Sequence, residues 1–499
     1  MFFSKPVSVR ACIFRISVAV ACVVSAVAGL VSGAPSRPNI IYILADDLGI
    51  GDLGAYGQKR IATPHLDGLA TEGIRFANHY SGSAVCAPSR ACLMTGLHTG
   101  HAPIRKNDAS TLLANSLTVA KILKQAGYAT GCVGKWGMGA PGDAGVALKQ
   151  GFDFFYGYYD QTAAHDHYPD TLYRDAAPEK LDGKTYSTDR FSAEALGFLD
   201  RSRAGPFFLY LAYTLPHANL QVPSQGAYAA QSWPPNEKTF AAMVSYLDSS
   251  VGLVLAKLKA MGADSNTLVL FASDNGAHAE GGQDAAFFDS DGPYRGIKRD
   301  PYDGGIHVPF MARWRGTIAP GTTSDWIGSF PDFLPTVCDL IGYHAPPGID
   351  GISFAPILTG QAARQVEHAY LYWEFNGDGY DWVAARMGRW KGVWRKGTGV
   401  YELYDLSKDP GETTDLAAAN PKVLDSLKVI FTQAHTAGSP VIGMPGPVAA
   451  GPGSGTVSRR LPVGRVRLAV RRDGRGVPAG LARERGGEDA VDALGQDRR

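Results

Sequence analysis

Two polar pairs and one cysteine motif carry the residues able to do chemistry. Asp46 and Asp47, followed by Gly49, come straight after an apolar run at residues 40–44, and Asp274 and Asn275, followed by Gly276, come straight after another at residues 267–271. Taken singly, Asp-Asp-x-Gly and Asp-Asn-Gly read as ordinary turns. Taken together at two strand ends, they supply several hard oxygen ligands, a set that suits Ca²⁺ or Mg²⁺ rather than a soft metal. The third feature is Cys86-Ala-Pro-Ser-Arg90, continuing Ala-Cys-Leu-Met-Thr-Gly96. Pro88 fits a first helical turn and apolar residues follow at helical spacing, which predicts that Cys86 opens a helix. Unpaired backbone N–H groups and the positive end of the macrodipole favour an anion there, and Arg90, one turn on, adds a planar charged fork. A thiol so placed could be a nucleophile of lowered pKa or a metal ligand, while for a lone cysteine a buried structural thiol is the better reading. Cys92 and Cys132 lack such flanks and read as packing residues.

The elements that must position these residues follow from periodicity. From Asn39 onward, short β-rich apolar runs alternate with amphipathic stretches, the pattern of an α/β domain with a large, mostly parallel sheet between helices. In such open sheets ligands gather at the carboxyl ends of strands, which groups the distant polar pairs. Strands are expected at residues 40–44, 128–133, 206–213 and 267–271. A core-facing helix is expected at 236–261, where Phe240, Met243, Val244, Leu247, Val251, Val254 and Leu258 recur at helical spacing. After about Gln365 the pattern changes to short strands at 370–375, 382–387 and 390–393 and a helix around 422–435, which predicts a smaller antiparallel lobe. The expected organisation is a leader over residues 1–34, a catalytic domain over 35–365, the small lobe over 366–444 and an irregular tail over 445–499.

Composition narrows the class. With 45% hydrophobic and 19% charged residues the chain is globular. Its formal net charge is +1, but the stretch from Pro445 holds 11 Arg against 6 Asp or Glu, so the body is mildly acidic and carries no nucleic-acid footprint. Lys5, Arg10 and Arg15 precede an apolar run at residues 16–31 and the small residues Ser32, Gly33 and Ala34, the order of an export signal. The run is shorter than a spanning helix requires and rich in Ala and Ser, so a periplasmic or secreted protein is expected, with no membrane contact beyond the signal. Cys12 and Cys22 leave with that signal, and Cys86, Cys92, Cys132 and Cys338 form neither a disulfide framework nor a CxxC site. From Pro445 the chain loses lysine and all periodicity and reads as disordered. Its exclusive use of arginine suggests a reading frame different from the one encoding the domain, which an unambiguous in-frame resequencing read would contradict.

Cys86-Ala-Pro-Ser-Arg90 with Thr95-Gly96 resembles the signature of the type I sulfatases of the alkaline phosphatase superfamily, in which a formylglycine-generating enzyme oxidises that cysteine to formylglycine. The resemblance extends from about Arg37 to Gly438. Asp46-Asp47-Leu-Gly-Ile-Gly-Asp52, Gly134-Lys135-Trp136-Gly137, Pro216-His217, Ser273-Asp274-Asn275-Gly276, Lys298, and Asp303-Gly304-Gly305 recur in the family's order, and Leu403-Tyr404-Asp405-Leu406 with Asp409-Pro410 and Glu412 looks like its C-terminal lobe. The resemblance implies an alkaline-phosphatase-like fold, Ca²⁺ held by Asp46, Asp47, the modified Cys86, Asp274 and Asn275, and hydrolysis of a sulfate monoester in a sulfated small molecule or glycan. In that chemistry the aldehyde hydrates to a geminal diol, and one hydroxyl attacks sulfur while Ca²⁺, Lys135 and Lys298 offset charge on the sulfuryl oxygens. The second hydroxyl then lets the sulfated hydrate collapse to the aldehyde and expel sulfate, an exit that plain serine or cysteine lacks. By the same resemblance Arg90 holds the formylglycine oxygen, Lys135 bridges it and the sulfate, and His217 protonates the leaving group with Lys298 beside it.

Two departures matter. Many members carry His two residues after the lysine, where this chain has Gly137, so the group that deprotonates the hydrate must come from elsewhere. His165 is the candidate, with His167 and His98 as alternatives. Asp303-Gly-Gly-Ile-His307 stands where Glu-Gly-Gly-x-Arg is frequent, which leaves the role of that arginine open. A phosphodiesterase or phosphonate monoester hydrolase of the same superfamily is the competing reaction, since phosphoryl and sulfuryl centres are both tetrahedral and anionic. A non-catalytic relative that only holds Ca²⁺ and sulfated glycans competes from outside the enzymes. A cysteine phosphatase is excluded, because its loop needs more than the three residues that separate Cys86 from Arg90 here. The long segments 156–186 and 219–236 are expected to rim the pocket, and their aromatics suit an aryl ring or a sugar face equally.

Overall fold

The computed structural model describes Met1 and residues 37–448. A ten-stranded sheet organises the larger part. In chain order its strands are β1 (Asn39–Asp46), β2 (Ile74–Tyr80), β3 (Ala129–Lys135), β4 (Phe154–Tyr158), β5 (Thr171–Arg174), β6 (Ala177–Lys180), β7 (Phe207–Pro216), β8 (Thr267–Ser273), β9 (Phe310–Arg313) and β10 (Thr322–Ser329). They lie in the order β10-β2-β9-β8-β1-β7-β3-β4-β5-β6. The central five, β8, β1, β7, β3 and β4, run parallel. β9 enters antiparallel between β8 and β2, and β5 and β6 fold back antiparallel at the far edge.

β1 is buried along its whole length, and its branched and aromatic side chains suit a strand covered on both faces. Ile40, Tyr42 and Leu44 point into a layer that includes the helices Cys86–Thr95, Val119–Gln125 and Phe333–Ile341. Ile41, Ile43 and Ala45 point into the opposite layer, with Pro64–Thr71, Ser187–Arg201 and Pro235–Ala260. By length and composition Pro235–Ala260 is apolar enough to cross a membrane, yet Phe240, Val244, Leu247, Val251, Val254 and Leu258 are packed in the core, as a layer helix requires.

A second sheet is an antiparallel meander of β11 (Leu371–Gly377), β12 (Tyr380–Met387), β13 (Trp390–Arg395) and β14 (Val400–Asp405). Leu424, Leu427, Ile430 and Phe431 of the helix Pro421–Gln433 cover one face. Trp373, Trp382 and Val393 on the other face pack on Ala84 and Val85, immediately before Cys86, and on Tyr302 and Ile306. Trp373 Nε1 donates to Ser81 O at 2.9 Å and Trp382 Nε1 to Arg299 O at 2.9 Å, so the small sheet buttresses the segments that carry Cys86 and Lys298. The architecture is therefore the expected one, a large mixed, mostly parallel sheet between helices with a smaller antiparallel sheet.

The first residues of the tail expected to be irregular are tied down. Pro445 O accepts from Gln125 Nε2 at 3.1 Å, Gly446 O from His344 N at 3.1 Å, and Val448 N donates to Gly342 O at 2.8 Å. The remainder of that tail, residues 449–499, and the expected leader over 1–34, Met1 apart, lie outside the described residues.

The junction between the sheets holds a buried ionic core. Lys391 Nζ lies 2.6 Å from Asp303 Oδ1 and 3.0 Å from Glu412 Oε1, and Asp303 N donates to Glu412 Oε2 at 2.6 Å. Burial pushes Glu412 up to about 7, whereas Lys391 and His307 overcome burial and hold Asp303 well below the carboxylate range. Removing one partner from such a set leaves buried charge uncompensated. Lys391→Met is expected to destabilise the fold by about 3–5 kcal/mol in denaturant titrations. The deficit should shrink on acidification, because protonated carboxyls need no ammonium; a neutral substitution at every pH would contradict this.

Candidate active site

Four neighbouring parallel strands, β8, β1, β7 and β3, lay their carboxyl ends side by side, and there they carry Asp274-Asn275, Asp46-Asp47, His217 and Lys135. This is the edge at which open α/β sheets bind ligands. Cys86 faces it as the first residue of the helix Cys86–Thr95, all ten residues of which are buried. Val85 offers no side-chain cap, and Asn107 Oδ1 instead accepts from Ala87 N at 2.9 Å. Gly96 ends the helix in the left-handed region. Lys298 reaches in from the long connection after β8. Gly276 lets that connection fold closely onto itself: its N–H donates to Gly305 O at 2.9 Å, and a Cβ there would overlap the Gly304 carbonyl.

The predicted residues converge. Cys86 Sγ lies 3.4 Å from Asp46 Oδ1 and 3.9 Å from Asp47 Oδ1. Lys135 Nζ donates to Asp46 Oδ2 at 2.7 Å. Arg90 binds Asp274 Oδ2 through Nε at 2.8 Å and Nη2 at 2.7 Å, and its Nη1 donates to Lys135 O at 2.6 Å. Lys298 Nζ donates to Asp47 Oδ2 at 2.7 Å and sits 3.1 Å from His217 Nε2. Asn275 Nδ2 donates to Asp47 Oδ1 at 2.8 Å.

The electrostatics separate the alternatives left open for Cys86. Burial, with Asp274 and Asp46 nearby, pushes its thiol well above the ordinary value despite Lys135 and Lys298, which speaks against a nucleophile of lowered pKa. Burial opposes the charge on Asp46 and Asp47, but Lys135 and Arg90 for the first, and Lys298 for the second, hold both carboxyls below the usual range. Asp274 is pushed up to about 7 by burial and by Asp46. His217 falls to about 3, chiefly through burial, and its Nδ1 faces Ala218 O at 2.5 Å, so the neutral ring turns its Nε2 lone pair to the Lys298 ammonium.

Of the three histidines considered for the place left by Gly137, the structure brings one to the cluster. The His165 ring lies 4.2 Å from that of His217, half-buried, and burial and Lys135 lower its pKa. His167 is buried beneath, with Nε2 at 3.0 Å from His217 O and Nδ1 at 3.3 Å from Thr214 Oγ1. His98 belongs elsewhere, beside His101 and Asp350. Gly137 has φ +70°, and a Cβ there would overlap the Gln161 amide, whose Nε2 donates to Gly137 O at 3.1 Å. Gln161 therefore occupies the space that a side chain at 137 would need. His307 stacks on Tyr80 of β2 with ring centroids 4.8 Å apart, places Nε2 2.9 Å from Ala77 O and lies against Tyr294 and Asp303, so its contacts are with β2 and the ionic core at the sheet junction.

Sequence reasoning missed Glu280 and Arg299. Glu280 Oε2 accepts from Lys298 Nζ at 3.0 Å and lies 3.6 Å from His217 Nε2, while Arg299 Nη1 holds Glu280 Oε1 at 2.6 Å. Neither stands in a motif, and only the folding of the 274–303 connection brings them to the site.

The donor set also fits a hard cation. Asp46, Asp47 and Asp274 present buried carboxylate oxygens, and Asn275 Oδ1 is buried with no hydrogen-bond partner among the described residues. An orphaned buried carboxamide oxygen beside carboxylates is what an oxygen-seeking metal would satisfy.

A model of the sulfatase family matches residues 38–343, and one described as N-sulphoglucosamine sulphohydrolase, C-terminal, matches 296–434. The chain belongs to the sulfatase family. It is 32% identical over 453 residues to an arylsulfatase of Hemicentrotus pulcherrimus, covering 77% of this chain and 78% of the relative. It is 30% identical over 471 residues to an N-acetylgalactosamine-6-sulfatase of Sus scrofa, covering 81% and 86%. Among solved structures it is similar to Ps i-CgsB in complex with k-i-k-neocarrahexaose, with a TM-score of 0.71 and 29% identity over 80% of this chain and 93% of that one. The fold is that of the alkaline phosphatase-like sulfatases, and the protein is an enzyme of that family.

This sulfatase keeps position 137 free of a side chain for two separable reasons, a left-handed backbone and the Gln161 amide. Gly137→Ala is expected to cost about 1–3 kcal/mol, of which the left-handed backbone accounts for about 1–2. Adding Gln161→Ala should recover the steric part, giving a coupling of about 0.5–2 kcal/mol in a double-mutant cycle. Strictly additive losses would show that the two groups do not compete for that space.

Proposed function

We propose that this sulfatase hydrolyses a sulfate monoester of a small molecule or glycan at residue 86, after a formylglycine-generating enzyme has converted Cys86, with Ca²⁺ held by Asp46, Asp47, residue 86, Asp274 and Asn275. The observation that carries the reading is the setting of Cys86. It is buried with its thiol pushed up, and Arg90, Lys135, His217 and Lys298 gather around it, cationic and polar groups that suit an oxygen nucleophile attacking an anion. Converted to formylglycine, residue 86 supplies a hydrated aldehyde, an oxygen nucleophile that can later let sulfate go. When bound, Ca²⁺ supplies positive charge next to the sulfate.

The chain's own groups do the rest. Lys135 and Lys298 are kept charged by Asp46 and Asp47 in spite of burial, and fixed ammonium groups in a water-poor site offset charge building on sulfuryl oxygens. Arg90, locked on Asp274 and Lys135 O, orients residue 86 from one turn away. The proton for the departing alcohol is held by the Lys298–His217 pair rather than by His217 alone, since the ammonium donates to the neutral His217 Nε2. His165, kept neutral by burial and Lys135, is a proton acceptor on the same side as His217. Glu280 fixes Lys298 from the outer side. The expected export signal fits secretion or a periplasmic site.

The reading is tested with protein co-expressed with the modifying enzyme. Hydrolysis of p-nitrophenyl sulfate is expected to exceed that of a p-nitrophenyl phosphodiester and to vanish in Cys86→Ala. Dialysis should find Ca²⁺ bound and stabilising by about 3–4 kcal/mol at saturating concentrations, with Asp46→Ala abolishing both effects. His217→Ala should cost about 10²- to 10⁴-fold on an alkyl or sugar sulfate but far less on p-nitrophenyl sulfate, whose phenolate leaves without a proton. Preferential diester turnover would replace the reaction while keeping the fold, and no turnover by fully converted protein would favour a non-catalytic role.

A further inference from the structure

A cleft of about 510 Å³ opens between the large domain and the small sheet, lined among others by Arg105, Lys106, Glu374, Asn376, Lys396 and His435. Each of its walls adjoins a segment that is hydrogen-bonded to the active site. Lys106 precedes Asn107, which caps Ala87 N in the first turn of the Cys86 helix. On the opposite wall Asn376 precedes the β11–β12 turn, where Asp378 Oδ2 holds Arg299 Nε at 3.0 Å, and Arg299 in turn holds Glu280 against Lys298.

The cleft is cationic in a protein whose body is mildly acidic. Its carboxylate, Glu374, is already committed: it is buried and accepts from Tyr372 Oη at 2.7 Å, His435 Nδ1 at 2.8 Å and Arg105 Nη1 at 3.2 Å. Lys396 makes no ion pair among the described residues and stands 5.6 Å from the Trp394 ring centroid. Lys106 meets Asp108 at 3.2 Å, but the lysine is half exposed and its partner a third exposed, a pairing that water screens and a stronger anion displaces. One lysine without an ion pair and one in a solvent-screened pair, over a satisfied Arg–Glu–His floor, focus positive potential into the cleft.

Resting on the sulfatase reading, we infer that this cleft is a subsite for a second anionic substituent, a sulfate or carboxylate on the same saccharide. The substrate is then a polyanionic glycan rather than a simple aryl sulfate. The scissile sulfate enters the Cys86 pocket while the second anion is held by Lys106 and Lys396, which adds binding without touching the reacting atoms.

The test compares wild type with Lys106→Ala/Lys396→Ala on p-nitrophenyl sulfate and on three disaccharides: monosulfated and otherwise neutral, monosulfated with a uronate, and disulfated without one. Wild type is expected to favour at least one doubly anionic disaccharide over the neutral one by about tenfold or more in kcat/KM, through KM. The double variant should lose that preference and keep its p-nitrophenyl sulfate rate within about twofold. The uronate and disulfate arms decide which anion the cleft takes. Equal kcat/KM on all three disaccharides, or a preference that survives in the variant, would overturn the subsite. If wild type hydrolysed no sulfate ester, the sulfatase reading would fall separately. Calorimetric binding of the disulfated disaccharide would then judge the cleft, with equal affinity for both proteins counting against it and weakening in the variant counting for it.

Discussion

Asp46, Asp47 and Asp274 are brought out of water beside one another by the ends of β1 and β8, and ionised groups so placed persist only when cations and donors answer their oxygens. Much of the site can be understood from that demand. Lys135 comes from the end of the next strand but one, Arg90 from the first turn of a helix driven into the core, and Lys298 from a connection folded over the sheet edge. Each cation neutralises a carboxylate, and two of those carboxylates, Asp46 and Asp47, lie against Cys86 Sγ. The orphaned Asn275 oxygen and the raised Asp274 carboxyl mark where the charges of the protein alone leave the balance incomplete.

The same demand accounts for the small lobe. A helix start bearing Cys86 and a connection bearing Lys298 need support beyond their own backbone to be held to fractions of an ångström. Trp373 and Trp382 hydrogen-bond to the two segments, and the Asp303–Lys391–Glu412 core locks the second one to the small sheet. The lobe thus positions chemistry that it does not perform, and its contact with the large domain leaves the cationic cleft between them.

Legibility in the sequence followed burial. β1, β3, β7 and β8 were readable because strands covered on both faces must be apolar throughout, and the Pro235–Ala260 helix because a core-facing stripe has a period. β2 and β10 were not, since Arg75, Asn78 and Asp325 interrupt the apolar pattern at the less covered side of the sheet, and β9 is only four residues long. At the site, residues attached to strand ends or to the Cys86 helix could be grouped by their position relative to an element. Glu280, Arg299 and the Gln161 amide opposite Gly137 lie on connections, where sequence carries no spacing rule, and only the folded chain shows what they touch. The same limit explains why the cysteine could be placed at a helix start while its thiol stayed open between a lowered pKa, a metal ligand and a buried structural role: helix position was visible, and complete burial was not.

The central claim is that residue 86 must both attack sulfur and release it, which an aldehyde hydrate can do and a simple hydroxyl cannot. Cys86→Ser isolates the two halves, because serine keeps an oxygen nucleophile and removes the exit. Mixed with p-nitrophenyl sulfate, this variant should release nitrophenol in a burst no larger than the amount of protein and then stop, with sulfate found on residue 86 by mass spectrometry. Sustained turnover by Cys86→Ser would contradict the account, because sulfate would then be leaving by a route that needs no aldehyde.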